Sequence, residues 1–447
     1  MRKIHIIGIC GIGMSAIAQY CKENEYIVQG SDAQINNAIA NHLISKNIQI
    51  YSNSADNITN DIDFIVKSTA IKSTDSEIIQ AQQLNIPILS RSDMLSQITQ
   101  QSNCVISISG AHGKTTTTTM TAELFELLQG NATVFSGGVM EFCKNNFLSG
   151  GKELMIVEAD ESDGTFMNLK TNIAALTNVE FEHAEYYKDF SNMLECCEEF
   201  INGKHVEKVV LCGDDIGIQQ IHSNKQVIRY GVNNNNDIYY EHNKVIIYQK
   251  YIIDNPQFNF LGKHNILNSL CALSIGIAQY GLTDKVVSAW KEMISTYRGV
   301  HRRFNIVSKS NNITIIDDYA HHPTEIAVTI ETAKQMNQRV IAVVQPHRYT
   351  RLFTLMNDFV ACMNEADICI ITDIYSAGEN EIPNINGKVL YENIQLKIQC
   401  NQFNLKSCYF AEGQNEVYEL INEISLSGDI ILFMGAGTIT NWAREYK

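Results

Sequence analysis

Short apolar runs alternate with helix-like segments through the first hundred residues of the chain. Residues 11–20 have the apolar spacing of a helix. The runs with the length and composition of strands are residues 4–9, 26–29, 64–67 and 86–89. Strands and helices in alternation are typical of a parallel sheet with crossover helices. The pattern therefore predicts a first α/β domain over residues 1–100, which ends at a polar stretch, residues 99–103, that we interpret as a linker.

The same alternation continues through two further segments of the chain. In residues 101–297 the predicted elements are strands at 104–109, 154–157 and 173–176 and helices at 116–129 and 265–281. In residues 298–447 the predicted strands are 313–316, 340–344, 368–371 and 430–434, with helix-like segments between them. No short-period repeat occurs. The sequence therefore predicts an α/β fold with three domains in series, bounded at residues 1–100, 101–297 and 298–447.

Composition and charge exclude several classes of protein. The chain has 447 residues and a formal net charge of -15, so it has no general attraction to nucleic acid or to anionic membranes. Its 12 cysteines form no CxxC pair, which indicates reduced thiols in a cytosolic compartment. The apolar runs are too short for a secretory signal or a membrane span. We expect a cytoplasmic protein without nucleic-acid partners and without membrane insertion.

The loop after the first strand of the central domain has the features of a phosphate-binding loop. Residues 110–115 read GAHGKT and lie between a strand and a helix. Glycines let the backbone approach a phosphate, and the N–H groups at the helix N-terminus point toward it. Lys114 offers a positive charge to the β- and γ-phosphates, and Thr115 offers a hydroxyl to magnesium. Only two residues separate the glycines, where the common pattern has four, which favours a specialised branch of P-loop enzymes.

Acidic residues follow the next strand of the central domain. They are Glu158, Asp160, Glu161 and Asp163. The carboxyl ends of parallel strands are where such sheets bind ligands, and carboxylate oxygens suit a hard cation such as Mg²⁺. A solvated acidic loop is the alternative. His183 follows another predicted strand, and it is a candidate for a second metal site, for a γ-phosphate contact or for a structural role.

Three more segments concentrate polar groups. Residues 317–323 (DDYAHHP) lie at a predicted strand–helix junction and either carry chemistry or cap the helix. Residues 298–303 and 345–351 are cationic clusters suited to phosphate or carboxylate, and Arg348 and Arg351 would share one face of a helix.

The glycine-rich turn at residues 8–13 favours a pyrophosphate ligand in general, without indicating NAD.

Taken together, these motifs resemble the Mur ligases of peptidoglycan synthesis, and within them the branch that adds L-alanine. The resemblance extends over the whole chain and depends on the order of eight short motifs. They are 8–18 (GICGIGMSAIA), 109–118 (SGAHGKTTTT), 158–166 (EADESDGTF), 262–268 (GKHNILN), 299–304 (GVHRRF), 317–325 (DDYAHHPTE), 345–351 (QPHRYTR) and 373–379 (DIYSAGE). The resemblance implies a P-loop ATPase central domain between Rossmann-like N-terminal and C-terminal domains.

The resemblance also implies roles for individual residues. The UDP-sugar and amino-acid contacts would come from Gly11, Gly13, Met14, Ser15, Ser31, Asp32, Ser68, Thr69, Arg348 and Arg351. The ATP contacts would come from Gly110, Ala111, His112, Gly113, Lys114, Thr115, Thr116, Asn265, Asn268, Arg303, Asp318 and His322. The catalytic residues would be Lys114, Glu158 and His183, and the magnesium ligands would be Thr115, Glu158 and His183.

The reaction that the resemblance implies uses ATP and Mg²⁺. The lactyl carboxylate of UDP-N-acetylmuramate would be phosphorylated, and the amine of L-alanine would displace phosphate from the acyl phosphate. We expect a monomer or a homodimer. One alternative is a recycling ligase that adds a preformed peptide to the same UDP-sugar. An alternative of another class is an NAD-linked oxidoreductase, and a third is an inactive scaffold, which predicts loss of Lys114 or Glu158, although both are present.

Overall fold

The computed structural model divides into two compact units. It describes residues 2–181, 186–310 and 312–446. The first unit contains Met1–Asn259 and Ile266–Arg298, and the second contains Phe260–Asn265 and Gly299–Lys447. Two β-sheets lie in the first unit and a third lies in the second. Among the described residues, no helix has both the length and the apolar character needed to cross a membrane.

The N-terminal sheet has five parallel strands. Its elements are β1 (Lys3–Ile7), α1 (Ile12–Glu23), β2 (Ile27–Asp32), α2 (Ala38–Ser45), β3 (Gln49–Ser52), β4 (Phe64–Lys67), α3 (Ser76–Gln83), β5 (Ile88–Ser90) and α4 (Arg91–Thr99). The strand order is β3–β2–β1–β4–β5. The order reverses between β1 and β4, and the carboxyl ends of strands at such a reversal flank the crevice where open α/β sheets bind ligands.

The central sheet has ten strands. Its elements are β6 (Cys104–Ser109), α5 (Lys114–Leu127), β7 (Thr133–Met140), β8 (Asn145–Leu148), β9 (Leu154–Glu158), α6 (Thr165–Asn168), β10 (Ile173–Leu176), α7 (Phe190–Ile201), β11 (Lys208–Cys212), β12 (Gln226–Gly231), β13 (Ile238–Glu241), β14 (Lys244–Ile247), β15 (Tyr251–Asp254), α8 (Lys263–Tyr280) and α9 (Asp284–Thr296). The strand order is β15–β14–β13–β12–β11–β10–β6–β9–β7–β8. Strand β6 is parallel to both neighbours, so the ends of β9 and β10 flank the loop that follows β6.

The second unit is built on a six-stranded sheet. Its elements are β16 (Asn305–Ser310), β17 (Ile313–Asp318), α10 (Pro323–Lys334), β18 (Val340–Val344), α11 (Tyr349–Thr354), α12 (Met356–Cys362), β19 (Ile368–Thr372), α13 (Gly387–Gln399), β20 (Ser407–Ala411), α14 (Gln414–Ile424), β21 (Ile430–Met434) and α15 (Ile439–Glu445). The strand order is β16–β17–β21–β18–β19–β20, and only β16 is antiparallel to its neighbour. Buried apolar clusters cover both faces of this sheet.

The predicted fold class is confirmed, and the agreement is closest for buried strands. Strands β4, β6, β10, β18 and β21 have the bounds that the apolar runs predict. A parallel strand that is covered on both faces reads as one uninterrupted apolar run, so its limits are visible in the sequence. The apolar pattern does not reveal β13, β14 and β15, which have four residues each and carry polar or exposed positions. The domain bounds at residues 100 and 297 remain predictions.

The predicted linker at residues 99–103 connects the first two sheets, but part of it is packed against the protein. Thr99 is the last residue of α4, a helix that begins with a capping box between Ser90 and Asp93. Thr99 and Ser102 are buried. The Ser102 hydroxyl donates to the Lys152 carbonyl oxygen at 3.0 Å. This packing fastens the N-terminal domain to the central sheet.

Candidate active site

The phosphate loop joins β6 to α5 at the carboxyl end of the central sheet. Gly110 has a φ of 128° and Gly113 a φ of 82°, values that favour glycine. A Cβ at Gly110 would lie 2.3 Å from the Thr177 Oγ1, and a Cβ at Gly113 would lie 2.6 Å from the Asn268 Oδ1. Both glycines are therefore required by backbone conformation and by close packing.

Three residues that follow β10 hold this loop in place. The Thr177 hydroxyl and the Asn178 side-chain amide donate to the His112 carbonyl oxygen at 2.6 and 2.8 Å. The His112 N–H donates to the Asn178 Oδ1 at 2.8 Å. The His112 Nε2 lies 2.9 Å from the Glu180 Oε2. The residues after β10 thus hold the loop in this conformation through contacts within the protein.

Lys114 begins α5, and its ammonium group is held from two sides. The Lys114 Nζ donates to the carbonyl oxygens of Gly110 and Ala111 at 2.6 and 3.1 Å. The two carboxylate oxygens of Glu161 lie 2.9 and 2.8 Å from the same Nζ. Burial by itself would lower the pKa of Lys114, but the charges of Glu161 and Asp160 outweigh it and raise that pKa. The lysine is therefore a fixed cation beside the loop.

Thr115 and Glu158 place oxygen atoms that could bind a metal ion next to Lys114. The Thr115 hydroxyl donates to the Glu158 Oε1 at 2.8 Å, and the Gly137 N–H donates to the Glu158 Oε2 at 2.6 Å. Burial raises the pKa of the Glu158 carboxyl. A hydroxyl and a carboxylate beside a phosphate loop are the protein ligands that suit Mg²⁺, and a cation would offset the burial of the carboxylate. Thr115 and Glu158 would thus suit a magnesium ion, which would supply positive charge beside the phosphate loop.

The rest of the acidic segment is paired with an arginine of the N-terminal domain. The Arg91 Nη2 donates to the Asp160 Oδ2 at 3.2 Å and to the Asp163 Oδ2 at 3.1 Å. Burial opposes ionisation of Asp160, but Lys114 and Arg91 outweigh burial and lower the pKa of this carboxyl to about 2. The segment is therefore a network of ion pairs rather than the solvated loop that the sequence left open.

The other ATP candidates of the first unit lie near the phosphate loop or outside the described part of the chain. Thr116 is buried in the first turn of α5. Asn268, on α8, accepts a hydrogen bond from the Thr117 hydroxyl at 3.2 Å. His183 lies outside the described residues, as does Glu182. The predicted role of His183 in metal binding therefore remains a prediction.

The glycine-rich turn of the N-terminal domain leads into the first turn of α1. The Gly11 carbonyl oxygen accepts the Ser15 N–H at 2.8 Å, and the Ser15 hydroxyl donates to the Ile12 carbonyl oxygen at 2.9 Å. Met14 and Ser15 are buried. An anion at this turn would therefore meet the N–H groups of Ile12, Gly13 and Met14, which the helix leaves without intrahelical partners.

The residues predicted near the uridine lie next to that turn: Ser31 and Asp32 end β2, and Ser68 and Thr69 follow β4. The buried Ser31 hydroxyl donates to the Glu77 carboxylate. Asp32 accepts the Cys10 N–H at 3.0 Å and the Gln34 N–H at 2.9 Å, so it orients the turn after β1. The Ser68 N–H donates to the Ile7 carbonyl oxygen at 3.1 Å, and Thr69 is exposed. The predicted residues therefore surround the point where the strand order reverses.

Glu77 belongs to a buried polar network that the sequence analysis missed. The His5 Nε2 lies 3.4 Å from the Glu77 Oε2, and the Asn57 amide donates to the Glu77 Oε1 at 2.7 Å. Burial by itself would raise the pKa of Glu77, but hydrogen bonds from His5, Asn57 and Ser31 lower it. This network fixes the Ser31 side chain. No local sequence signal reveals it, because its members come from four separate segments.

Three of the four nucleotide candidates of the second unit lie around the end of β17 and the start of α10. Asp318 accepts the N–H groups of Phe304 and Ala320 at 2.7 Å each, and burial raises its pKa to about 6. The Arg303 Nη1 lies 3.5 Å from the Glu325 Oε1. His322 is the N-cap of α10, so it has the capping role that the sequence left open. Asn265 donates to the Leu261 carbonyl oxygen at 2.8 Å.

Arg348 and Arg351, which would share one face if their segment were helical, differ in position: only Arg351 lies within a helix. Helix α11 begins at Tyr349, and Arg348 is its N-cap with a φ of 69°. This φ is not a helical one, so Arg348 lies outside the regular helical part of α11. Arg351 lies in α11, where its Nη1 donates to the His347 Nδ1 at 3.3 Å. His347 stacks on Tyr375 with 5.7 Å between ring centres, and burial and Arg351 lower the pKa of His347 to about 4.

Family models match most of the chain, in the order that the domains require. The model described as "Mur ligase family, catalytic domain" matches residues 3–103. The "Mur ligase middle domain" matches residues 108–276, and the "Mur ligase, glutamate ligase domain" matches residues 302–437. Each match falls on one of the three sheets.

Curated relatives and solved structures match over the full length. UDP-N-acetylmuramate–L-alanine ligase of Rickettsia bellii is 37% identical, over 100% of this chain and 96% of that protein. The enzyme of the same name from Rickettsia conorii is 38% identical, over 100% and 95%. The structure of UDP-N-acetylmuramate-alanine ligase from Thermotoga maritima has a TM-score of 0.81 at 28% identity, over 100% and 98%. A murein peptide ligase from Psychrobacter arcticus shares the fold, with a TM-score of 0.70 at 21% identity, over 99% and 97%.

The family models, the full-length relatives and the arrangement of the phosphate loop agree with one another. The resemblance that the short motifs indicate is therefore confirmed at the level of sequence identity and of fold. The chain belongs to the Mur ligase family.

Proposed function

We propose that the chain is an ATP-dependent ligase that joins L-alanine to the lactyl carboxylate of UDP-N-acetylmuramate in peptidoglycan precursor synthesis. The observation that carries the proposal is the arrangement at the phosphate loop. The Lys114 ammonium group is held there by Glu161, next to the hydrogen-bonded pair Thr115 and Glu158. Relatives that match over the full length have the name of this ligase. ATP and Mg²⁺ are the cofactors of the proposal.

The first step transfers the γ-phosphoryl group of ATP to a carboxylate oxygen of the lactyl group, and ADP leaves. Negative charge spreads over the transferred oxygens in this step. Lys114 is held beside the loop by Glu161 and by two backbone carbonyls, so its charge needs little reorganisation to stabilise that state. A magnesium ion at Thr115 and Glu158 would supply further charge stabilisation on the phosphate oxygens.

In the second step the alanine amine attacks the carbonyl carbon of the acyl phosphate. The C–N bond forms, the C–O bond to phosphate breaks, the amine loses a proton, and phosphate leaves. Arg348 and Arg351 bind the alanine carboxylate in this proposal, since guanidinium groups make bidentate pairs with carboxylates. Asn265, Asn268, Arg303, Asp318 and His322 contact the nucleotide in this proposal, and His183 would serve a second metal ion.

The UDP-sugar binds at the reversal of strand order in the N-terminal domain. Its diphosphate meets the first turn of α1, and Ser31, Asp32, Ser68 and Thr69 lie toward the uridine. We place the enzyme in the cytoplasm, as a monomer or a homodimer without nucleic-acid partners. The domain bounds remain those that the sequence predicts.

Phosphate release tests the proposal and its nearest alternative in one assay. ATP, Mg²⁺ and UDP-N-acetylmuramate are mixed with L-alanine, glycine, L-serine or a preformed tripeptide, and phosphate and amide product are measured. We expect L-alanine to give equal amounts of phosphate and amide, and to be the best substrate. Release with the tripeptide but not with L-alanine would establish the recycling reaction instead. NADH binding without ATP consumption would support the oxidoreductase alternative.

A further inference from the structure

Arg91 lies between the proposed diphosphate site and the acidic segment of the central domain. It is the first residue of α4, whereas the acidic segment, residues 158–165, begins at the last residue of β9. All of its hydrogen bonds within the described residues use one nitrogen. The Arg91 Nη2 donates to the Asp160 Oδ2 and Asp163 Oδ2 at 3.2 and 3.1 Å, and it lies 3.5 Å from the Thr165 Oγ1.

The other terminal nitrogen of Arg91 faces the first turn of α1. A Cβ at Gly13 would lie 3.2 Å from the Arg91 Nη1 and 3.5 Å from its Cδ. A side chain at position 13 would therefore separate the guanidinium from the helix N-terminus. Within the part of the chain that the structure describes, no residue accepts a hydrogen bond from Nη1. Two N–H donors of Arg91 thus lie beside the helix N-terminus and remain available to an anion.

The first turn of α1 is also fastened to the central domain on another side. The Asn146 side-chain amide, on β8, donates to the Ser15 hydroxyl at 3.1 Å and to the Ile12 carbonyl oxygen at 2.5 Å. The paired strand β7 carries Gly137, whose N–H donates to the Glu158 Oε2 at 2.6 Å. Two chains of contacts therefore run from the first turn of α1 to Glu158 and its neighbours.

The acidic segment carries residues that the phosphoryl transfer depends on. It begins with Glu158, which pairs with Thr115, and it includes Glu161, which holds Lys114. The Glu161 carbonyl oxygen accepts the buried Tyr187 hydroxyl at 2.7 Å. A change in the position or charge balance of this segment would therefore reach the nucleotide site directly.

We propose that Arg91 binds the diphosphate of the UDP-sugar through Nη1 while Nη2 holds Asp160 and Asp163, and that it thereby couples the sugar-nucleotide site to the ATP site. This inference depends on the proposed function. A planar guanidinium presents its N–H donors in a fixed fork, so one arginine serves two anionic groups at once. A diphosphate on Nη1 draws part of the cationic charge away from Asp160 and Asp163. The acidic segment then favours the binding of magnesium with the nucleotide.

Calorimetric titration of the full-length protein tests this coupling. The dissociation constant of Mg²⁺–ADP is measured alone and with saturating UDP-N-acetylmuramate, and the reciprocal titration is done as well. In the wild type we expect each ligand to tighten the other by the same factor, at least about fivefold. Arg91→Lys keeps the charge but loses the fork. We expect this variant to bind UDP-N-acetylmuramate about tenfold or more weakly, because one charge-assisted contact is lost. We also expect its coupling factor to be close to one.

Two further variants separate coupling from stability. Asp163→Asn removes one of the two carboxylate charges that face Nη2, so we expect UDP-N-acetylmuramate to bind as tightly as in the wild type or tighter, with a reduced coupling factor. Arg339→Lys is the matched control, because Arg339 makes bonds of 2.9 and 2.6 Å to Asp429 in the second unit. This control should lower thermal stability and leave both dissociation constants and the coupling unchanged.

The results distinguish a failure of this inference from a failure of the proposed function. A wild type that does not bind UDP-N-acetylmuramate overturns the proposed function and the inference together. Wild-type affinity and coupling in Arg91→Lys overturn the inference alone, provided that alanine-dependent phosphate release persists. If Arg91→Lys fails to fold by circular dichroism, Asp163→Asn decides, and unchanged coupling in that variant overturns the inference.

Discussion

At the scale of single residues, the site is organised by a buried balance of charge around Lys114. Its ammonium group is 2.8 Å from Glu161, whose side chain is 2% exposed, and Asp160 and Glu158 lie close enough to raise its pKa. A buried ion pair contributes little net stability, but the loss of one partner leaves the other charge uncompensated in a poorly hydrated place. The lysine that we propose for phosphoryl transfer is therefore also needed to compensate the charge of its acidic neighbours.

Replacement of Lys114 by Met should therefore affect turnover and stability together. We expect phosphate release to fall by roughly 10²–10³-fold or more, since a preorganised charge at the transferred phosphoryl group is lost. We also expect the free energy of unfolding to fall by about 3–5 kcal/mol, because three carboxylates lose their cation. Urea denaturation and the phosphate-release assay measure the two effects.

The double variant Lys114→Met with Glu161→Gln separates those effects. It removes both members of the ion pair, so it should regain part of the lost stability while turnover stays as low as in the single variant. Turnover close to the wild type in Lys114→Met would contradict the assignment of this lysine to phosphoryl transfer.

At the scale of elements, α5 depends on its burial rather than on its own helix propensity. Five consecutive threonines, Thr115 to Thr119, occupy its first turns, and all five are buried. Threonine is a poor helix former, so tertiary packing must stabilise this helix. Glu123, on the same helix, is also buried, with 9% of its surface exposed. Its Oε2 has no hydrogen-bond partner among the described residues. Burial raises the pKa of the Glu123 carboxyl to about 7, although Arg298 acts in the opposite sense.

Ionisation of Glu123 should make the free energy of unfolding depend on pH. Its pKa is higher in the folded protein than the value of about 4.3 expected in the unfolded chain. The stabilisation from the protonated form is therefore complete below about pH 4, and it is lost as the pH rises through about 7. We expect Glu123→Gln, which carries no charge, to be more stable than the wild type by about 1–3 kcal/mol at pH 8, with a smaller gain at pH 5.5.

Urea denaturation at the two pH values checks this expectation. Glu126→Gln, at an exposed position of the same helix, is the matched control and should change stability by less than about 0.5 kcal/mol. A gain in Glu123→Gln that is the same at pH 5.5 and pH 8, or no gain at all, would show that ionisation of Glu123 does not limit stability.

At the scale of the whole molecule, the chain forms two compact units although it has three sheets. The contacts of Arg91, Asn146 and Ser102 join the N-terminal and central sheets within the first unit. That unit contains the phosphate loop, the acidic segment and the first turn of α1. The arginines proposed for the alanine carboxylate, Arg348 and Arg351, belong to the second unit.

A fragment of residues 1–298 should therefore fold and bind substrate without completing the reaction. It contains the whole first unit, so we expect one cooperative thermal transition by circular dichroism. We also expect it to bind UDP-N-acetylmuramate in calorimetry. It should form no amide with ATP and L-alanine, because it lacks Arg348 and Arg351. The division of function between the units is wrong if the fragment synthesises amide, or if it folds but does not bind the UDP-sugar.

Features that are encoded locally could be predicted from the amino-acid sequence. Buried parallel strands such as β6 and β18 read as apolar runs, and the glycines, lysine and threonine of the phosphate loop follow a strand at a fixed spacing. The acidic residues after β9 were also visible, because the polarity of the chain changes abruptly where a buried strand ends. These features depend on neighbours in the chain, so the fold class and the position of the catalytic loop followed from them.

Which side chains contact one another could not be predicted from local sequence, because these contacts join distant segments. Glu158 pairs with Thr115, whereas Glu161 holds Lys114, and nothing in the acidic segment by itself distinguishes these two carboxylates. Arg91 is separated from Asp160 by 69 positions, so no local pattern could assign it. The left-handed backbone of Arg348 likewise depends on its surroundings. Contacts between distant segments arise from packing and strand order, and spacing along the chain does not encode them.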